Sequence, residues 1–349
     1  MQLKLITATL VALALCGCRN QADVVDLPEE YYVPEKVVAS PEAPGRPRVA
    51  FLATNYDDPW VQRVVDQAKL QATDDHVNFL LIKAPTAEKL QEAIKKFPAM
   101  GIDGCIVNSP DPDEDAAILK QVHSTKLKAM SLDDPIRNGD GTPTKLPMLG
   151  CDFKNAGTIA ANAMIAVAAK DRFWHMSRTG LILFTNDSLR SAKDVTTQEK
   201  KILLANGITP DRVFEIPLHD LTIAGARRMA AVILANNSVA IRDWFIGGFN
   251  DTVVVGGLRA TEDVHIGTKR TIGVGIEGDG ALYDLQRPIK SGLAASVLFS
   301  SNKMGQQAEK GMDAWLLDKV RPFQFSPFRG VLLNRDNVRQ LKRANQMLD

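Results

Sequence analysis

Polar side chains follow an apolar run in the second half of the chain, where they could hold a ligand. The run ends at Gly247 and Gly248, and Phe249, Asn250 and Asp251 come directly before a second apolar segment with helical spacing. This order predicts a buried strand, a tight turn and a helix. Ligands of open α/β sheets bind beyond the carboxyl ends of the strands, so all three residues are candidate ligand contacts. The alternative is that Asn250 and Asp251 only cap the helix.

A glycine pattern from Gly273 to Gly278 matches G-x-G-x-x-G after a predicted strand, which would suggest a dinucleotide cofactor. That motif also requires an acidic residue at the end of the next strand. The next predicted strand, residues 293–299, is followed by Ser300 instead. We therefore expect the glycines to let the backbone pass close to its neighbours at a cleft, and no cofactor to be bound.

Residues that could support catalysis or bind a metal are scattered. The five histidines show no paired ligand spacing, and no G-x-S-x-G sequence is present. Asp133 and Asp134 are neighbours, so their carboxyl groups cannot face each other across a substrate as an acid/base pair would. The sequence predicts a protein that is not an enzyme.

The elements that must position these residues alternate between strand-length apolar runs and helical patterns. One series begins at residue 48, and a second begins near residue 179. Such alternation predicts an α/β fold with two doubly wound parallel-sheet lobes, and 349 residues suffice for two cores. A cleft between lobes is a usual place for a small-molecule site. The formal net charge of +1 offers no field that would attract nucleic acid.

The N-terminal segment resembles an export signal. Lys4 precedes an apolar run that is too short to span a bilayer, and small residues follow it. The end of the run resembles a lipobox, which implies a signal peptide over residues 1–18 and lipidation of Cys18. The alternative is a plain secretory signal. Residues 19–47 are rich in proline and predict an extended tether.

Two further cysteines, Cys105 and Cys151, lie in apolar, strand-like runs. They could pair in an oxidising compartment or remain as two buried thiols. The sequence leaves both alternatives open.

From about residue 48 to the C-terminus, the chain resembles the type I periplasmic sugar-binding proteins of ABC transporters. The order and spacing of several segments carry this resemblance: Ala50-Phe-Leu, Asp57-Asp-Pro-Trp60, Ser109-Pro-Asp-Pro112, Leu132-Asp-Asp134, Phe249-Asn-Asp-Thr252, Gly256-Gly-Leu-Arg-Ala-Thr-Glu262, Ile272-Gly-Val-Gly-Ile276 and Leu333-Asn-Arg-Asp-Asn337.

The resemblance implies two lobes, joined by three crossover segments, that close like a hinge on a monosaccharide. The N-terminal lobe would comprise residues 48–151 plus 300–327. The C-terminal lobe would comprise residues 152–299 plus 328–349. The resemblance also implies a monomer that hands its ligand to a membrane permease, without nucleic acid as a partner, because the signal and tether stand where related repressors carry a helix-turn-helix.

The resemblance assigns ligand contacts from both lobes: Thr54, Asp58, Trp60, Asp133, Asp134, Cys151, Ser191, Phe249, Asn250 and Glu277. Carboxylates and amides suit paired sugar hydroxyls. Trp60 could stack on the C–H face of the ring, or it could instead pack in the first lobe's core.

Four positions depart from the pattern of the arabinose-binding members: Thr54, Val195, Glu277 and Gly280. At Thr54 and Val195 a cation is lost, and at Glu277 a carboxylate is gained, which predicts a more acidic cleft. At Gly280 a site aspartate is missing, with Asp279 one residue early. Buried carboxylates without cationic partners are costly. The ligand could therefore be another sugar, a cation such as an amino sugar or polyamine, or a ligand bound with a metal ion. Sugar binding could also have been lost.

These observations predict an exported, lipid-anchored solute-binding protein of a sugar ABC transporter. A rival function is a sensory protein that presents the bound sugar to a receptor.

Overall fold

The computed structural model describes residues 45–344, except for 54–55, 58, 85, 109–114, 126, 134 and 173. The predicted signal peptide, the lipidation site Cys18 and the tether up to residue 44 lie outside the described residues. The predicted contacts Thr54, Asp58 and Asp134 lie outside them as well.

Strands and helices alternate along the chain. The strands are β1 (Arg48–Ala53), β2 (Asn78–Lys83), β3 (Gly104–Asn108), β4 (Lys128–Leu132), β5 (Met148–Cys151), β6 (Thr179–Thr185), β7 (Val213–Pro217), β8 (Asp243–Gly248), β9 (Thr271–Glu277), β10 (Leu293–Leu298), β11 (Ser326–Phe328) and β12 (Val331–Asn334). The helices are α1 (Pro59–Asp74), α2 (Ala87–Met100), α3 (Asp115–Thr125), α4 (Phe153–Ala168), α5 (Arg190–Ala205), α6 (Ile223–Asn237), α7 (Asp251–Asp263), α8 (Leu282–Gln286), α9 (Ser301–Leu317) and α10 (Val338–Ala344).

The strands form two six-stranded sheets. The first has the order β11-β5-β4-β3-β1-β2, and all its strands are parallel. The second has the order β12-β10-β9-β8-β6-β7, and only its edge strand β12 is antiparallel. The predicted α/β fold with two doubly wound lobes is confirmed. Sequence analysis did not find β11, which is only three residues long.

The chain passes between the two sheets three times: from β5 to β6, from β10 to β11 and from β11 to β12. These passages bring the lobes together near β5 and β11. Asp152, just after β5, donates its backbone N–H to the carbonyl of Phe328 at 2.9 Å. Two crossover segments are thus hydrogen-bonded to each other.

Apolar strands and amphipathic helices bury the core of each lobe, because each sheet carries helices on both faces. In the first lobe α1 packs closely on α9, where a side chain at Gly305 would collide with the Val64 carbonyl. Leu90 and Ile118, from α2 and α3, are fully buried on the opposite face. In the second lobe the packed pairs are α4 with α5 and α6 with α7. This layering sets the strands' carboxyl ends at the cleft.

Cys105 and Cys151 are both buried and both free, so the two thiols do not pair. Burial raises the pKa of the Cys105 thiol above its ordinary value, which keeps it protonated. Among the residues that the structure describes, no helix is long and apolar enough to cross a membrane.

Candidate ligand-binding site

A cavity of about 400 Å³ is shared by the two lobes. Its wall on the first lobe comes from β4, β5 and the connection between them, and Gln324 and Phe325 of a crossover segment contribute as well. On the second lobe the wall is the start of α5, with Arg190, Ser191 and Asp194. Three predicted contacts therefore line one cavity: Asp133, Cys151 and Ser191.

Asp133 is held at the cavity by an unusual backbone conformation. Its φ of 70° lies in the left-handed region, which aspartate tolerates better than most residues. Its backbone N–H donates to the carbonyl of Leu149 at 2.8 Å, so the exit of β4 is fixed to β5. A side chain at Gly150 would approach the Asp133 carbonyl to 2.9 Å. Glycine at 150 thus allows the turn that presents the Asp133 carboxyl group.

The start of α5 supplies both a polar surface and a charge pair. Arg190 and Asp194 form an ion pair at 3.7 Å, one helical turn apart, and both line the cavity. The positive end of the helix dipole lies at the first residues of α5, and therefore at the cleft. Leu189, which precedes the helix, provides no side-chain cap there. The Arg190 cation therefore offsets one of the carboxylates of the cavity.

Val195 stands on α5 where the arabinose-binding members carry a cation. It is fully buried, and a side chain at Gly157 of α4 would collide with the Val195 carbonyl. The helix turns this position into the contact between α4 and α5, where a charged side chain would be costly. A fully buried carboxyl group lies one turn further along the same helix, at Glu199, against β8 at Gly247. Burial raises its pKa well above the ordinary value, which favours the neutral carboxyl group.

Asn250 caps α7, as the alternative interpretation expected. Its Oδ1 accepts a hydrogen bond from the backbone N–H of Val253 at 3.1 Å. The residue is partly exposed at the end of β8, and its Nδ2 donates to no group in the described part of the chain. Capping uses only the oxygen, so the amide nitrogen remains able to donate to a ligand. Phe249, in contrast, is 7% exposed and packs in the second lobe's core.

Asp251, a candidate ligand contact by its position in the sequence, is buried and bound to groups of the protein itself. It is 1% exposed, and its carboxyl group accepts bonds from Ser296 Oγ at 2.6 Å, Gly278 N at 2.8 Å and Ala281 N at 3.2 Å. Burial raises its pKa to about 7. A side chain at Gly280 would come within 2.8 Å of the Asp251 Cβ. A side chain at 280 would therefore crowd Asp251.

Glu277 ends β9, the strand that pairs with β8, so it lies at the same sheet edge as Asn250. Its φ of 94° is rare for a residue with a side chain, and its side chain is exposed. Strained conformations of this kind cost of order 1–3 kcal/mol and persist where the surrounding structure imposes them.

Trp60 and Arg63 connect α1 to the rest of the cleft. The Trp60 Nε1 donates to the carbonyl of Phe299 at 3.4 Å, and its partly buried ring packs against the large core cluster. Arg63 forms an ion pair with Asp279, beyond β9, and its Nε donates to Ser301 Oγ at 3.2 Å. Sequence analysis missed Arg63, although it follows Trp60 by one helical turn and so lies on the same face. Asp279 is engaged by this cation, so the cleft is less acidic than predicted.

Among the described residues, no group of three or more histidine, cysteine, aspartate or glutamate side chains could hold a metal ion. The polar groups at the cleft are hydrogen-bond donors and acceptors, suited to a polar organic ligand.

Two α/β lobes that share a cavity at their strands' carboxyl ends define a cleft-type ligand-binding protein. The family described as periplasmic binding proteins and sugar binding domain of the LacI family matches residues 46–319, so the chain belongs to this family. The prediction of a type I periplasmic sugar-binding protein is confirmed, as is the prediction that the chain is not an enzyme.

Two curated relatives are similar over most of the chain. The L-arabinose-binding periplasmic protein of Escherichia coli (strain K12) is 27% identical, covering 84% of this chain and 89% of the relative. The ABC transporter L-arabinose-binding periplasmic protein of Azospirillum brasilense is 28% identical, covering 83% and 87%. The solved structure of a periplasmic ribose ABC transporter protein from Conexibacter woesei DSM 14684 shares the fold, with a TM-score of 0.71, 18% identity and coverage of 86% and 95%.

Proposed function

We propose that the protein is an extracytoplasmic solute-binding protein that captures a monosaccharide between its lobes and delivers it to the permease of an ABC transporter. The observation that carries this proposal is the cavity with walls from both lobes, because a ligand bound there contacts both halves at once. The two curated relatives are named for L-arabinose, which makes arabinose or a related sugar the first ligand to test.

The proposed contacts divide by chemistry. Asp133 and Ser191, which line the cavity, would bind sugar hydroxyls. The Asn250 amide and Glu277, at the strand ends outside this lining, would do the same, together with Thr54, Asp58 and Asp134. Trp60 would stack on the ring, and Cys151 would contact its apolar parts, whereas Phe249 is packed in the core and is no longer proposed as a contact. The Arg190–Asp194 and Arg63–Asp279 pairs offset two of the carboxylates near the cleft, which favours a neutral sugar over a polyamine.

Binding would favour the closed arrangement of two lobes, residues 48–151 plus 300–327 and residues 152–299 plus 328–349. A ligand that touches both lobes binds the closed state better than the open one and therefore shifts the population toward it. The permease would recognise the surface that closure creates.

A thermal-shift panel of pentoses, hexoses, amino sugars and polyamines tests the proposal. A ligand at about 100 times its Kd should add roughly 2.7 kcal/mol of stability. Ser191→Ala should reduce the shift, whereas Ser188→Ala, an exposed serine outside the cavity, should not. A shift with polyamines alone would indicate a cationic ligand, and no shift with any compound would refute the proposal.

We also propose that Cys18 carries the lipid anchor and that residues 19–47 form the tether. Several acyl chains hold a protein stably at a membrane where a single chain does not. Cys18→Ser should release the protein from the membrane fraction, while Cys16→Ser should leave it bound. The anchor would be contradicted if both variants stayed in the membrane fraction and the wild-type protein took up no acyl label.

A further inference from the structure

The cavity has a wall that a monosaccharide alone would leave unused. Six apolar side chains of the first lobe and its crossover segment, here called the apolar compartment, line it together: Pro135, Ile136, Pro143, Leu146, Met148 and Phe325. A monosaccharide carries a hydroxyl group on most of its carbons, and placing these groups against carbon without partners is unfavourable. The charged groups of the lining lie instead on α5 and at Asp133, while Thr144 and Gln324, the two polar residues beside the compartment, are hydrogen-bonded to each other.

Hydrogen bonds hold the apolar compartment in place. The backbone N–H of Thr144 donates to the carbonyl of Ile136 at 3.1 Å, which closes residues 136–144 into a loop. Gln324 Nε2 donates to the carbonyl of Thr144 at 3.2 Å, so the loop is tied to the crossover segment. Arg321 and Lys145 add a second link of the same kind at 2.6 Å. The compartment is therefore a built surface rather than a loose surface loop.

Phe325 is the aromatic group of this compartment and is only partly covered. Its ring is 49% exposed although it lines the cavity, and a side chain at Gly150 would approach its Cε2 to 3.4 Å. The Met148 methyl group already fills the position of a Cβ at 150, so Phe325 and Met148 form one apolar surface there. An exposed aromatic ring in the cavity wall is suited to stack on a flat apolar group of a ligand.

We infer that the ligand carries an apolar substituent, such as the alkyl or aryl aglycone of a glycoside, and that this substituent occupies the apolar compartment. The inference rests on the proposed function, since the sugar ring is to be held by the polar groups described above. The site would then be specific for a sugar that carries an apolar substituent, in preference to the free sugar. Phe325 is the residue that would distinguish the conjugate from the free sugar.

The test compares dissociation constants for free sugars with those for their methyl and 4-nitrophenyl glycosides, measured by calorimetry across pentose and hexose series that include L-arabinose. Each buried methylene should raise affinity about fourfold, and an aryl group should raise it about tenfold or more. Phe325→Ser should remove that gain and leave the affinity for the free sugar unchanged. The matched control is Phe323→Ser, because Phe323 is 81% exposed and lies outside the cavity.

The outcomes separate this inference from the proposed function. Free sugars that bind as tightly as their glycosides would overturn the apolar compartment and leave sugar binding intact. A gain that survives Phe325→Ser would also overturn it. Binding of neither free sugars nor glycosides would refute the proposed function itself.

Discussion

The Arg63 guanidinium of α1 is paired with the Asp279 carboxylate, which follows β9 in the other sheet. Arg63 also donates to Ser301 Oγ, at the start of α9, at 3.2 Å. The side chains are 16% and 35% exposed, so water screens the pair only in part. One cation therefore connects the two lobes across the cleft.

Arg63→Gln should shift the protein toward its open arrangement. Loss of roughly 1 kcal/mol from the closed state lowers ligand affinity about fivefold where the closed state is a minor species. Titration calorimetry of the variant and the wild-type protein measures this loss of affinity. Arg228→Gln is the matched control, because the Arg228–Asp220 pair lies within one lobe and is exposed. Equal effects of both variants would contradict an interlobe role for Arg63.

Asn250 should have two functions, capping α7 and binding the ligand, and different substitutions should remove them separately. Asn250→Ala deletes the cap of α7 and should cost about 0.5–2 kcal/mol of unfolding free energy. Asn250→Asp keeps an oxygen that can accept from Val253 but replaces the donor nitrogen. We expect Asn250→Asp to keep its melting temperature and lose ligand affinity. Unchanged affinity would restrict Asn250 to capping.

Gly280→Ala should destabilise the second lobe, because its Cβ would come within 2.8 Å of the Asp251 Cβ. Overpacking of this kind typically costs about 1–3 kcal/mol. Urea denaturation measures the loss, and Gly267→Ala is the control because no atom lies within 4 Å of a Cβ placed there. Equal stability of the two variants would show that Asp251 gives way to a side chain at 280.

The free energy of unfolding should fall as the pH rises, because two acids between α1 and α9, Asp313 and Glu309, have raised pKa values in the folded protein. Burial, with help from neighbouring carboxylates, raises the pKa of Asp313 to about 7 and that of Glu309 well above its ordinary value. Both groups hold protons when folded that they release when unfolded. Their stabilising contribution is therefore complete below the unfolded pKa near 4 and is lost as the pH rises through the folded pKa.

Glu309→Gln should make the unfolding free energy less dependent on pH between about 5 and 8. Each extra proton held by the folded state contributes a slope of up to about 1.4 kcal/mol per pH unit. The control is Glu92→Gln, because Glu92 is exposed on α2. An unchanged slope in Glu309→Gln would contradict a protonated Glu309 in the folded protein.

The fold was largely predictable because strong signals marked its elements. The apolar run of β8 with Asn250 behind it marked the strand end, and the structure identifies Asn250 as the cap that the sequence left undecided between two residues. β11 could not be found because it has only three residues, of which the middle one is Pro327, so it carries no periodic signal.

The candidate site was less predictable, because its geometry depends on contacts far apart in sequence. Asp251 and Asn250 both follow β8 in the sequence and were equally plausible ligand contacts. Asp251, however, points inward and is hydrogen-bonded to Ser296 and to the loop after β9. Arg63 was missed because a lone arginine on a helix gives no sign that Asp279 lies across a cleft. Phe325 lay outside every motif and reaches the cavity only through the crossover segment.

The position of β11 also bears on the order in which the protein can fold. Residues 326–328 complete the edge of the first sheet beside β5, although nearly all of the second sheet is made before them. The first sheet therefore stays incomplete until synthesis is almost finished. A delay of this kind would keep a nascent polypeptide loosely structured for longer, which is compatible with the export proposed above.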